Sequence, residues 1–302
     1  MEDMITGLCP QCGHTLHIPA ELASFSCMYC GARLTKEQLA AEPLTAPEAD
    51  EDRAAYYDRA VSRLGWCIKN FGGYQKKIMR DVFFEAFETY ETGCAPVIQE
   101  LARGVAPEQQ TQLLGRAAAA MLDELEAGWQ KKGDMEDEKI VLAIFFVPMV
   151  RKQQLPISEE FVTILQKQWV ERYPKSPFYL GDYESISGGF RKKFLGLCFI
   201  TTAVCQELGK PDDCEELTAF RAFRDGYLRS QPDGEALIRE YYNIAPGIVT
   251  CINTCSDRHA SYARIREEYL APCYQDLLAG RNESCKARYV RMVRDLEREY
   301  LS

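Results

Sequence analysis

The chain has 302 residues, 46% of them hydrophobic and 27% charged, with a formal net charge of −9. A chain of that length allows about two domains of ~100–200 residues and a sizeable buried core. The acidic balance repels phosphate backbones, and "QKKIMR" and "FRKKF" are too short and too close to acids to offset it, so the sequence argues against nucleic-acid binding.

"MEDMITGLCP" is acidic and runs straight into cysteines, which predicts no secretory signal. The longest apolar stretch, "IVLAIFFVPMV" at 140–150, is shorter than a bilayer span and fits a buried core helix, so no membrane partner is expected. Thirteen cysteines without a signal peptide point to reduced thiols that are buried or bind metal, and to a cytoplasmic protein.

The first motif is "CPQCGHTLHIPAELASFSCMYCGARLT", in which Cys9 and Cys12 form one C-x-x-C pair and Cys27 and Cys30 another, fourteen residues apart. Two such turns supply four thiolates, the donor set of tetrahedral structural zinc with no open position. Gly13 and Gly31 follow the second cysteine of each pair, where a tight knuckle favours positive φ. "HTLHI" and "ARLT" are short strand candidates. The segment resembles a rubredoxin-type zinc ribbon over about its first 35 residues. His14 and His17 are extra to a shell that four thiolates complete. Arg33 and Lys36 stand against Glu2, Asp3, Glu21 and Glu37, so the ribbon fits a protein partner or a cap on the body better than a nucleic acid.

"AAEPLTAPEADEDR" follows, with two prolines and five acids, and reads as a mobile acidic linker. Helical patterns then succeed one another. Tyr57, Val61, Leu64 and Ile68 recur at helical spacing. Ile78, Val82, Phe83, Phe87 and Tyr90 make an aromatic-rich face, and Pro96 and Gly104 bound a short segment. Pro107 suits a first helical turn. Pro148 is expected to kink or shorten its helix. Ser158 is the expected cap of the next one. "KSPFYLGDYESISGGF" is the longest irregular stretch, read either as a groove lining or as an ordered loop packed by its own aromatics. No phosphate loop, dinucleotide fingerprint or G-x-S-x-G elbow occurs.

The stretch from Cys198 to Gln231 concentrates cysteines, threonines and "FRAFRD". On a helix Cys198, Thr201, Thr202 and Cys205 share a side. Asp213 and Glu216 have capping-box spacing, and Leu217, Phe220, Phe223 and Tyr227 form a stripe. A further helix ends at Pro246.

"CFITTAVC", "LTAFRAFRDGYL" and "GEALIREYYNIAPGIV", in that order, resemble the bacterial C-terminal module called the CFI-box domain, over roughly 195–249. The family's opening is usually Cys-Phe-Ile-Ala-Thr-Ala-Ala-Tyr-Gly; matching positions here include Cys198, Phe199, Ile200, Thr202, Arg224, Asp225, Tyr241, Tyr242 and Pro246. This chain has Thr201 for an alanine, and Cys205 and Gln206 for the tyrosine and glycine. The resemblance implies a helical module and carries over no activity.

Three readings compete for the body. Cys198 is the candidate thiol nucleophile, with His259, the sole histidine outside the ribbon, as its base and Thr202 or Arg224–Asp225 as orienting groups. Arg224, Asp225 and Tyr241 are the candidate binding residues. In the second reading the same residues are a packed helical hairpin. In the third, Cys251, Cys255 and His259, four residues apart on one helix, join Cys273 or Cys285 in a second zinc site.

The expected architecture is mainly α: a multi-helix body with a small N-terminal β zinc ribbon. The ribbon occupies 1–38, the linker 39–52, a helical domain 53–180 and a CFI-box-like helical domain 181–302, the last two as separate units or packed as one. The expected function is that of a bacterial cytoplasmic adaptor or regulator. It holds one structural zinc through Cys9, Cys12, Cys27 and Cys30 and acts on a protein partner, with a small-molecule ligand left open. The alternative is a cysteine-dependent enzyme using Cys198.

Overall fold

The structure is a computed structural model, and it describes residues 4–9, 15–19, 22–28, 31–35, 50–191 and 198–301. It is mainly helical with small N-terminal β-structure. Strand β1 (Met4–Leu8) pairs antiparallel with β2 (Thr15–Pro19), and β3 (Ser24–Ser26) with β4 (Arg33–Thr35). Both strands anticipated beside the cysteine pairs are therefore present. Period-2 alternation turns Leu16, Ile18 and Leu34 inward, where they pack with Cys9 and Cys27 in a cluster of their own.

Helix α1 (Asp50–Leu64) starts inside the stretch read as linker, so residues 50–52 are helical; the rest of that linker lies outside the described residues. Next come α2 (Trp66–Lys69), α3 (Phe83–Gly104), α4 (Gln110–Gly128) and α5 (Lys132–Val141), then α6 (Val147–Lys152), α7 (Ser158–Arg172) and α8 (Tyr183–Arg191). The C-terminal part holds α9 (Phe199–Glu207), α10 (Glu215–Ala222), α11 (Gly234–Cys255), α12 (Arg258–Ile265), α13 (Ala271–Leu278) and α14 (Asn282–Tyr300).

One continuous core runs from Tyr57 to Leu301. Helix α1 lies along α3, α4 along α7, and α11 touches α5, α8, α9 and α14. At Gly247 in α11 an added Cβ would stand 1.8 Å from the Ile78 carbonyl oxygen, so only glycine lets these segments approach so closely. The expected aromatic face is buried: Phe83 stacks on Phe190 at 4.3 Å, and Phe87 and Tyr90 close on Phe145.

Several local expectations are corrected. Helix α3 runs straight through Pro96, and α11 continues through Pro246 to Cys255. A proline inside a helix loses one backbone hydrogen bond, and here burial of the flanking residues on both sides outweighs that loss. Ahead of Pro148 the chain takes a π turn, Leu142–Phe146, a known way to absorb a disturbed ladder, so the helical path is altered there but not ended. Ser158 is the first residue of α7 and not its cap; its hydroxyl donates to the Val150 carbonyl and accepts from the Leu155 N–H. The Asp213–Glu216 capping box does not form, because Glu216 turns to Lys210 instead.

The irregular stretch divides. Residues 174–182 are non-helical and pinned by bonds from Trp169 Nε1 to the Ser176 carbonyl (2.7 Å) and from the Tyr179 N–H to the Thr254 carbonyl (2.8 Å). A buried lysine that sequence reasoning did not single out, Lys139, holds Ser176 Oγ at 2.8 Å. The remainder forms α8, whose Glu184, Ser185, Gly188 and Gly189 line one wall of a polar groove of about 450 Å³.

Candidate functional site

Two places concentrate chemistry. At the N-terminus, Cys9 follows β1 and Cys27 follows β3, and both are buried. The turn after Cys27 closes through Gly31 N–H to the Cys27 carbonyl and Cys27 N–H to the Ala32 carbonyl, each 2.8 Å. Gly31 has φ 74°, the left-handed conformation expected of a knuckle glycine. Cys12, Cys30, Gly13 and His14 lie outside the described residues, as does the His17 side chain. Leu22 and Met28 are exposed, Met28 at 76%.

The second place is the buried cluster around Cys198. Cys198 immediately precedes α9, and its carbonyl accepts from the Thr202 N–H at 2.6 Å. Helix α10 leads into a π turn, Phe223–Tyr227, that carries Arg224 and Asp225. On a regular α-helix, adjacent side chains do not face each other. Within this π turn the Arg224 guanidinium grips the Asp225 carboxylate by two bonds, of 2.8 and 2.6 Å. Arg224 Nη1 also donates to Tyr242 OH at 3.0 Å and approaches Cys198 Sγ at 3.6 Å. A parallel chain of hydroxyls runs from Thr201 to Tyr289 (3.1 Å) and on to Tyr241 (3.4 Å), which accepts from the Ile200 N–H at 3.0 Å. Beside this lies an apolar cavity of about 60 Å³, bounded by Cys198, Phe220, Phe223, Arg224, Tyr241 and Tyr289 among others.

The electrostatics favour a closed structural network. Burial pushes the Cys198 thiol up, and the Arg224 charge only partly offsets this, so the thiol stays protonated at neutral pH. The Asp225 hydrogen bonds raise Arg224 and lower Asp225, fixing both as ions. Burial also raises Tyr241, Tyr242 and Tyr289, which remain neutral hydroxyls.

The sequence-derived site residues do not all meet. Cys198, Arg224, Asp225 and Tyr241 converge. Thr202 contributes its backbone only; its hydroxyl is buried and makes no hydrogen bond among the described residues. His259 is 82% exposed and pairs through Nδ1 with Glu207, which also holds Arg258 at 2.8 Å. Glu207 closes the far end of α9, nine residues and roughly 13 Å from Cys198 at ~1.5 Å per residue. His259 is therefore out of reach as a base for Cys198.

The second metal set also fails. Helix α11 ends at Cys255 and α12 begins at Arg258, so the continuous helix that spacing assumed is broken at Ser256 and Asp257. Cys251 and Cys255 are buried while His259 faces solvent, and no cluster of three or more metal-binding side chains occurs among the described residues. The network also contains Thr201, Tyr242 and Tyr289. Helical spacing puts Thr201 on a face of α9 and no more, and no local pattern signals that Tyr289, far along the chain, returns to α9.

No helix among the described residues is long and apolar enough to cross a membrane. Comparison of the chain with protein-family models, with curated proteins and with solved structures returned no match.

Proposed function

We propose that the chain is a bacterial cytoplasmic adaptor, whose N-terminal hairpins form a structural zinc ribbon and whose body ends in a CFI-box-like helical module. It works by docking a protein partner and not by catalysis. The observation that carries the reading is the pair of antiparallel hairpins in which buried Cys9 and Cys27 each follow the first strand, with Gly31 at φ 74° in the second knuckle. Cys12 and Cys30 would complete four thiolates, a closed tetrahedral set. Zinc bound there supplies folding free energy to hairpins too small to hold a core unaided.

Docking is supported by the exposed apolar side chains of Leu22 and Met28, the latter lying between Cys27 and Cys30. The formal net charge of −9 weighs against a nucleic-acid partner. The cysteine-enzyme alternative loses its support: Cys198 is buried with a raised thiol, and His259 is at the far end of α9.

Affinity capture from the native host, with wild type and a Met28→Asp variant that retains its zinc, tests the reading. The account expects specific partners to be lost with the substitution. Recovery of the same partners in the same yield would contradict ribbon docking.

A further inference from the structure

Three pairs of thiols face each other in the helical body. Cys67 with Cys94 and Cys273 with Cys285 are fully buried, the Cys94 thiol donating to the Cys67 carbonyl and the Cys273 thiol to the Cys285 carbonyl, each at 3.9 Å. Such thiols are shielded from any reagent in water. The third pair differs. Cys205 in the last turn of α9 is buried, but Cys214, which precedes α10, is only half-buried, and the two sulfurs are 3.8 Å apart.

The local chain is arranged to bring these sulfurs together and to leave one movable. Lys210 N–H returns to the Cys205 carbonyl at 2.9 Å, Gly209 takes φ 67° in the turn, and Cys214 N–H bonds the Pro211 carbonyl at 3.1 Å. Cys214 has extended backbone (φ −61°, ψ 154°) outside the helix, so its side chain can swing without breaking a helical bond. A disulfide requires the sulfurs to approach to about 2.05 Å, a movement of under about 2 Å. Glu216 Oε2 lies 4.0 Å from Cys205 Sγ and is itself held by Lys210 at 2.5 Å.

We propose that Cys205 and Cys214 form a thiol oxidation site, converted to an intramolecular disulfide by a hydroperoxide. Cys214, the less buried of the two cysteines, attacks first, once its thiol has given its proton to solvent. A sulfur–oxygen bond forms, the O–O bond of hydrogen peroxide, the oxidant, breaks, and the departing hydroxide takes up the proton that the Cys214 thiol gave to solvent and leaves as water. The product is a Cys214 sulfenic acid. Cys205 then attacks that sulfur; the S–S bond forms, the S–O bond breaks, and hydroxide departs. The Cys205 proton passes through the Glu216 carboxylate to that hydroxide, giving a second water. Two electrons move from the dithiol to the peroxide, and the net change is two thiols and one peroxide to one disulfide and two waters. Burial holds the Cys205 thiol up at about 12, which suits it to the second, proton-coupled step. The crosslink pins the end of α9 to the start of α10, the hairpin whose other ends carry Cys198 and Arg224.

The test treats the folded full-length chain with hydrogen peroxide, alkylates the remaining thiols after unfolding, and maps cysteine peptides by mass. The expected product is a dithiothreitol-reversible Cys205–Cys214 crosslink, lighter by two hydrogen masses, while Cys67, Cys94, Cys273 and Cys285 stay alkylatable. In Cys205→Ala the expected product is a Cys214 sulfenic acid trapped by dimedone. Wild type alone can refute the idea, so a variant that misfolds does not protect it. Failure to form the crosslink, or formation no faster in the folded chain than in urea, would overturn the proposal.

Discussion

Arg224→Leu isolates the network around Cys198. Among the described residues the guanidinium contacts Asp225, Tyr242 and Cys198, and these contacts differ in worth. The two bonds to Asp225 involve a carboxylate side chain that is 48% exposed, so solvent screening limits them to at most about 1 kcal/mol together. The bond to Tyr242 OH at 3.0 Å is buried and charge-assisted, worth about 1.5–3 kcal/mol. The 3.6 Å approach to Cys198 Sγ is weak. Leucine recovers part of the loss by packing against Phe220 and Phe223 at the cavity wall. The balance is a destabilisation of about 2 kcal/mol, which for a helical body of this size lowers Tm by roughly 4–8 °C. Urea unfolding followed by helical circular dichroism measures it, and a cycle with Tyr242→Phe should show the two changes to be coupled. A neutral or stabilised Arg224→Leu, as occurs when apolar residues replace some buried ion pairs, would refute the assignment of the Tyr242 bond as the main contribution.

Other consequences are as direct. Gly247→Ala should cost about 3 kcal/mol, the upper range for overpacking, because its methyl group would meet the Ile78 carbonyl; an unchanged melting temperature would contradict the close approach. Burial raises the Cys255 thiol from 9.0 to about 12, so its contribution to stability is complete below about pH 9 and is lost as pH rises toward 12. Stability measured across that window should fall by up to about 1.4 kcal/mol per pH unit from this thiol, and Cys255→Ala should reduce the slope; an identical slope would show that Cys255 is not the group titrating. His259→Ala should change stability by less than about 0.5 kcal/mol, given the exposure of the imidazole, and a larger loss would mean that the Glu207 pair matters more than its setting implies.

Helical spacing made the body legible, and the aromatic face of Phe83, Phe87 and Tyr90 was read correctly because burial periodicity is local. Pro96 and Pro246 misled because a proline's penalty is a local quantity, whereas the packing that overrides it comes from Phe71, Ile78 and other residues distant in sequence. Ser158 looked like a cap for the same reason: its partner, Val150, lies back on the preceding helix. At the site, Arg224 and Asp225 were visible as a pair. That Cys198 meets Arg224 and not His259 depends on which end of α9 each partner reaches, and spacing carries no such information. The break between Cys255 and Arg258 likewise removed a metal geometry that an unbroken helix would have allowed.

Metal analysis of the purified chain tests the central claim most directly. The account predicts one zinc per chain, lost in Cys27→Ser while the helical body keeps its melting temperature. A chain that purifies without zinc, or a Cys27→Ser variant that still holds one equivalent, would contradict it.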